Sequence, residues 1–181
     1  MSGDRAAERV LVAGIGNVFL GDDGFGVEVV NRIDRAGLPD GVDVADYGIR
    51  GVHLAYELLD GRHATLIMVD AVPTGETPGT VSVLEVPNED APAHGQGIDV
   101  FETATVDAHG LHPEAVLDVL RGLGGHVDKV LVIGCEPASI EERMGLSDVV
   151  AASVDEAVRL TTGLAREEAE RLATGVRSGV A

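Results

Sequence analysis

Two hydrophobic periods alternate along this chain. Val10-Leu11-Val12-Ala13 is an unbroken apolar run ending at Gly14, the pattern of a strand buried on both faces of a parallel sheet. Val27, Val29, Val30 and Ile33 then recur at roughly helical spacing. They predict a helix from about Asp23 to Arg35, with Gly37 as its stop. The segment GVDVADYG, Gly41 to Gly48, alternates apolar and polar residues and predicts a second strand. Leu54, Leu58 and Leu59 mark a short helix closed by Gly61. ATLIMVDAV, Ala64 to Val72, is apolar until Asp70 and is the clearest strand of the chain. GTVSVLEV, Gly79 to Val86, alternates and predicts an edge strand with one exposed face.

Beyond Pro87 the pattern lapses. The residues from Pro87 to Asp107 have no clear period and read as a long loop, a feature often functional in a compact domain. Pro113 suits the first turn of a helix carrying Val116, Leu117, Leu120 and Leu123 on one face. DKVLVIGCE is the last buried strand. Asp148 or Ser153 starts a C-terminal helix with Val154, Ala157, Val158 and Leu164, and residues after about Thr174 are expected to fray. Strands alternating with helices in this way predict an α/β three-layer sandwich, an open, mainly parallel twisted sheet flanked by helices. No internal repeat or linker interrupts it, so residues 1–181 are expected to form a single domain with an ordered core from about 9 to 173.

Charge removes several function classes. The chain has 13 Lys+Arg against 31 Asp+Glu, a formal charge of -18. That field repels nucleic acid and anionic membrane surfaces, and no basic tract offsets it. No apolar run approaches the ~20 residues of a membrane helix. The start, MSGDRAAERV, lacks the basic and apolar regions of a signal peptide. The single cysteine, Cys135, cannot form an internal disulfide, and a cytoplasmic location is expected.

In open α/β sheets, ligands sit beyond the carboxyl ends of the strands, so the chemistry is sought there. The first strand is followed by Gly14, Gly16, Asn17, Gly21, Asp22, Asp23, Gly24 and Gly26. A dinucleotide fingerprint would need glycine where Phe19 stands. A phosphate loop would need lysine where Asp22 stands. One acid of the Asp22–Asp23 pair is expected to cap the following helix, and the tight glycine turn to aim the other at a site. Asp70 ends its strand either as the cap of a turn before Pro73 or as a second site acid. If the first and third strands are neighbours, Asp23 and Asp70 converge, and two converging carboxylates raise one another's pKa or bind a cation.

Of the six histidines, His63 and His126 are expected at the surface. His109 and His112 share a glycine-punctuated helix start, and His109 is the preferred site residue, with His112 able to replace it. Two carboxylates and an imidazole suit nickel, zinc or manganese. Other schemes fail: there is no G-x-S-x-G elbow and no H-E-x-x-H, and Cys135 reads as a small buried hydrophobe.

GIGNVFLGDDGFGVEVV, LIMVDAV and DAHGLHPEAVLDVL, together with the closing segment VIGCEPASIEERMGLSDVVAASVDEAV, resemble the nickel–iron hydrogenase maturation endopeptidase family from about residue 9 to residue 160. The G-x-G-N-x-x-x-x-D-D-G-x-G element is the most specific part. The resemblance implies an endopeptidase that removes the C-terminal extension of a hydrogenase large-subunit precursor after nickel insertion. It implies Asp23, Asp70 and His109 as metal-contacting and catalytic residues, and Asp46 as a substrate-recognition residue. Gly16 and Asn17 of the glycine loop are expected to contact substrate as well. The nickel is expected to arrive with the substrate, and no organic cofactor is implied. The alternative is a non-catalytic metal- or nucleotide-binding accessory protein on the same fold.

Overall fold

The computed structural model describes residues 8–87 and 113–175. Five strands form one sheet: β1 (Arg9–Ile15), β2 (Val42–Gly48), β3 (His63–Ala71), β4 (Val81–Val86) and β5 (Lys129–Cys135). Their order is β2-β1-β3-β5-β4. The first four in that order run parallel, and β4 lies antiparallel to β5 at the edge. The expected neighbour relation of the first and third strands is therefore present. The described helices are α1 (Phe25–Arg32), α2 (Gly51–Leu58), α3 (Pro113–Gly122), α4 (Asp148–Ala151) and α5 (Val154–Ala173).

Strand alternation divides the core into two. Val10, Val12, Ile67, Val69, Leu131 and Ile133 face the side occupied by Phe25, Val29 and Val30 of α1 and by Val154 and Ala157 of α5. Leu11, Ala13, Leu66, Met68, Val130 and Val132 face Leu54 and Leu58 of α2 and Val116 and Leu120 of α3. A strand covered on both faces can carry no polar residue along its middle, which is why these strands read as continuous apolar runs. The three layers match the expected sandwich.

Several details differ from the pattern-based expectation. The helix predicted over Asp23 to Arg35 is three pieces: a 3-10 turn at Gly21–Gly24, then α1, then a second 3-10 turn at Arg35–Gly37. Ile33 is extended, and the Asp34 side chain accepts from the Ala36 N–H at 3.1 Å to start the new turn. The expected C-terminal helix is likewise split, because Asp148 opens α4 and Ser153 precedes α5. Ser153 Oγ bonds back to the Gly79 carbonyl at 2.6 Å. Strand β4 does not bury a whole face: consecutive Val83 and Leu84 are both exposed. Only its ends, Val81 and Val86, pack against the two cores.

His63 is a correction. It was expected at the surface but is buried, with Nε2 2.9 Å from Asp43 Oδ2. The reason is register: β3 begins at His63, opposite Arg9, and the side chain joins an ion pair between strands. Arg9 donates to both Asp43 oxygens, at 2.6 and 2.7 Å. The Arg9 guanidinium draws the Asp43 carboxyl down to about 2, burial opposes this, and His63 adds to it. His126, by contrast, is exposed as expected.

Two predictions follow from the packing. A methyl group on Gly26 would lie 1.9 Å from the Val69 carbonyl oxygen and 2.4 Å from that of Ile15. Gly26→Ala should therefore destabilise by about 1–3 kcal/mol through forced backbone shifts, and an unchanged denaturant midpoint would contradict this packing. The second concerns acid. A depressed carboxyl pKa stabilises the folded state above the unfolded value and loses that effect as pH falls towards 2. Arg9→Met should consequently flatten the acid limb of the pH–stability curve in thermal melts.

Candidate active site

The loop after β1 is folded back on itself tightly enough to exclude any side chain at Gly16. That residue has φ +131°, and a methyl group there would lie 1.8 Å from the Asp23 carbonyl oxygen and 3.7 Å from Asp70 Oδ1. Gly16 thus stands between the two acids. Its N–H donates to the Gly48 carbonyl at 3.0 Å, tying the loop to the end of β2. The Asn17 N–H donates to Asp23 Oδ2 at 2.8 Å, and Asn17 Oδ1 accepts from the Phe19 N–H at 3.0 Å. These bonds aim the half-buried Asp23 carboxylate across the loop.

Asp70 is the penultimate residue of β3 and is only 5% exposed. Burial pushes its carboxyl well above the usual range, and the neighbouring Asp23 charge pushes it further; the Ala71 N–H acts against both. The structure therefore brings Asp23, Asp70, Gly16 and Asn17 together at the carboxyl edge of the sheet. Two neighbouring carboxylates, one of them buried, repel, and a proton or a cation relieves that repulsion. Asp46 is one strand away, half-buried on β2 opposite Gly14. His109 and His112 lie outside the described residues, as does nearly all of the predicted loop from Pro87 to Asp107. Among the described residues, no three His, Cys, Asp or Glu side chains are grouped closely enough to hold a metal.

The two adjacent acids do different work, and the capping role expected for one of them is not found. Helix α1 starts from Gly24 without a side-chain cap. Asp22 is instead fully buried and reaches to the segment after β5. It accepts from the Ala138 N–H at 2.8 Å, the Ser139 N–H at 3.1 Å, the Ser147 N–H at 2.6 Å and Ser147 Oγ at 2.9 Å. Burial alone would raise its pKa, but the bonds from Ser147, Ser139 and Ala138 outweigh it and hold the carboxyl below its ordinary value. The cap reading failed because the donors come from residues more than 100 positions away. The glycine-and-serine stretch Gly145-Leu146-Ser147 was the available signal, but its partner could not be read from one sequence.

A second clasp also escaped the sequence reading. Glu136, directly after β5, accepts from the Thr74 N–H at 2.6 Å and from Thr74 Oγ1 at 2.9 Å, fixing the loop after β3. Between these clasps, Cys135 is buried and its thiol is pushed up to about 11, by burial first and then by Asp22 and Glu136. A thiol held protonated is no nucleophile, in keeping with its expected role as a small hydrophobe.

A parallel sheet covered by helices on both faces is the architecture shared with solved hydrogenase maturation peptidases. The hydrogenase maturating endopeptidase HybD of Escherichia coli superposes with a TM-score of 0.66 and 27% identity, covering 88% of this chain and 93% of that one. The hydrogenase 2 maturation peptidase of a Thaumarchaeota archaeon gives 0.61 and 33%, covering 87% and 97%. In sequence, the hydrogenase 2 maturation protease of Escherichia coli K12 is 32% identical over 161 residues, 88% of this chain and 92% of that protein. The HycI family model, hydrogenase maturation protease, matches residues 27–163. The chain belongs to the hydrogenase maturation protease family. Among the described residues, no helix is long and apolar enough to cross a membrane.

The two buried acids should respond oppositely to substitution. Asp22→Asn removes charge-assisted bonds and should cost about 1.5–3 kcal/mol at neutral pH. The stabilisation from Asp22 is present above the unfolded carboxyl pKa and is lost as pH falls through its lower folded value. Asp70 has the reverse sign: its raised pKa favours the folded state at low pH, an advantage lost as pH rises. Asp70→Asn should therefore raise the melting temperature at pH 7. Thermal melts from pH 4 to pH 8 decide both points, and a neutral-pH destabilisation by Asp70→Asn would show that its charge is compensated.

Proposed function

We propose that this chain is a metal-sensing endopeptidase: it removes the C-terminal extension of a nickel–iron hydrogenase large-subunit precursor once nickel has been inserted. The observation that carries this reading is the buried Asp70 set against Asp23 at the carboxyl edge, beside Gly16. Such a pair favours a cation, and family membership supplies the class of substrate on which the cation arrives. Nickel is in this view part of the substrate.

Asp23 and Asp70 occupy open coordination positions on nickel otherwise held by the precursor's own thiolates, and His109 supplies an imidazole as third ligand. Hard oxygen donors with one nitrogen suit a borderline divalent ion. Held there, the substrate's nickel would set the adjacent peptide where either the metal or a carboxylate of the pair, as general base on water, would promote hydrolysis. The glycine loop's Gly16 and Asn17, with Asp46, contact the polypeptide around the metal. An apo precursor offers no cation, so the two carboxylates face each other unrelieved and gain nothing from binding. Each lost charge-assisted contact weakens binding by about 1.5–3 kcal/mol, roughly tenfold or more. The reaction belongs in the cytoplasm, where the single buried Cys135 meets no oxidising partner.

The test compares cleavage of apo and nickel-loaded precursor by the wild type and by Asp23→Asn, Asp70→Asn and His109→Ala. The wild type should shorten only the loaded precursor, and each variant should lose about tenfold or more in kcat/KM. Efficient cleavage of apo precursor would refute metal sensing. Unchanged cleavage by all three folded variants would remove these residues from the site.

A further inference from the structure

The loop after β1 and the segment after β5 are joined into one wall. The Arg143 N–H donates to the Phe19 carbonyl at 2.9 Å, the Gly21 N–H to the Arg143 carbonyl at 2.8 Å, and the Asp22 N–H to the Ser139 carbonyl at 3.0 Å. The buried Asp22 carboxylate fastens the same segment from beneath through Ala138, Ser139 and Ser147. On this fixed wall three large apolar side chains face solvent: Phe19 is 64% exposed, Met144 68% and Ile140 53%. Across the acid pair, the turn after β2 carries Ile49, also 63% exposed. That turn is bonded to the site loop through the Gly16 N–H and the Gly48 carbonyl.

Exposed apolar side chains scattered singly need no explanation, but a set carried on tightly braced loops beside one acid pair does. Bracing matters because a preordered surface gives up little conformational freedom when it binds. We infer that Phe19, Ile140 and Met144 on one flank, with Ile49 on the other, hold the precursor's polypeptide across the carboxyl edge of the sheet. The held segment is an extended stretch bearing apolar side chains and basic rather than acidic neighbours. This rests on the processing function proposed above.

The choice of occupant follows from position and charge. The apolar rim is continuous with the loop that carries Asp23, so whatever lies on it lies beside the acid pair. Glu141 and Glu142 are exposed between Ile140 and Met144, and the whole chain carries a formal charge of -18. Arg143, the cation among them, is turned back onto the Leu146 carbonyl at 3.0 Å. An acidic peptide would be repelled here and a basic one drawn in.

The test measures kcat and KM on a nickel-loaded large-subunit precursor. The Phe19→Ser/Met144→Ser double variant should raise KM about tenfold or more, with a much smaller change in kcat. Ile49→Ser, on the other flank, should raise KM independently and serves if the double variant melts early. Glu141→Lys/Glu142→Lys should raise KM and weaken its dependence on salt. Leu84→Ser, an exposed apolar residue on β4, is the control and should leave KM unchanged. If the wild type cleaves but KM stays within about twofold in both the double variant and Ile49→Ser, the docking surface is overturned and the processing function stands. If the wild type fails on a precursor that a related protease cleaves, both fall. A dimer in sedimentation that the double variant dissociates would assign the apolar face to a second copy and overturn the proposal.

Discussion

The contact between helix α1 and the ends of β1 and β3 sets the geometry on which the site depends. A single methyl group at Gly26 would collide with the Val69 and Ile15 carbonyl oxygens. With glycine there, the helix settles directly against the sheet, and the 3-10 turn preceding it carries Asp23 to the end of β3. The same closeness recurs one turn earlier, where Gly16 admits the Asp23 backbone. A steric constraint at two glycines thus becomes an electrostatic one. The chain must seat Asp70 in the apolar layer beside another acid, an arrangement that burial and repulsion both oppose.

Two buried residues of one type meet opposite fates here because their surroundings differ. Asp22 points beneath the wall and receives four hydrogen bonds, so its burial stabilises. Asp70 is buried beside the Asp23 charge, and the Ala71 N–H does not offset burial and repulsion, so its burial does not. The first acid fixes the walls of the cleft; the second keeps a destabilising charge within it. Strain of this kind persists only where the surrounding structure overdetermines the geometry. The clasps of Asp22 and Glu136 on the segments after β5 and β3 supply that overdetermination.

Family membership and geometry then constrain one another. A hydrogenase maturation protease acts on a polypeptide, and the carboxyl edge offers both a cation-seeking acid pair and apolar side chains on either side of it. The acid pair by itself would suit any small divalent ion. The braced rim by itself would suit many partners. Together they fit the proposed substrate, a polypeptide that presents a metal.

The sequence by itself determined the elements, the sheet class and the family. Strand cores such as Val10 to Ala13 and Leu66 to Val69 must be apolar when covered on both faces, and the G-x-G-N and Asp-Asp-Gly spacing leaves few alternatives for the first loop. It also determined which acids stand at strand ends, because Asp70 interrupts a run that no solvent reaches. Only the tertiary structure decided what those acids touch. The donors to Asp22 are over 100 residues away, His63 is buried by the register of β3 against β1, and the edge position of β4 leaves Val83 and Leu84 uncovered. Local pattern reports the period and polarity of neighbouring residues. Partners brought together by sheet order leave no trace in that pattern, because their spacing along the chain is set by the length of the intervening elements rather than by the contact itself.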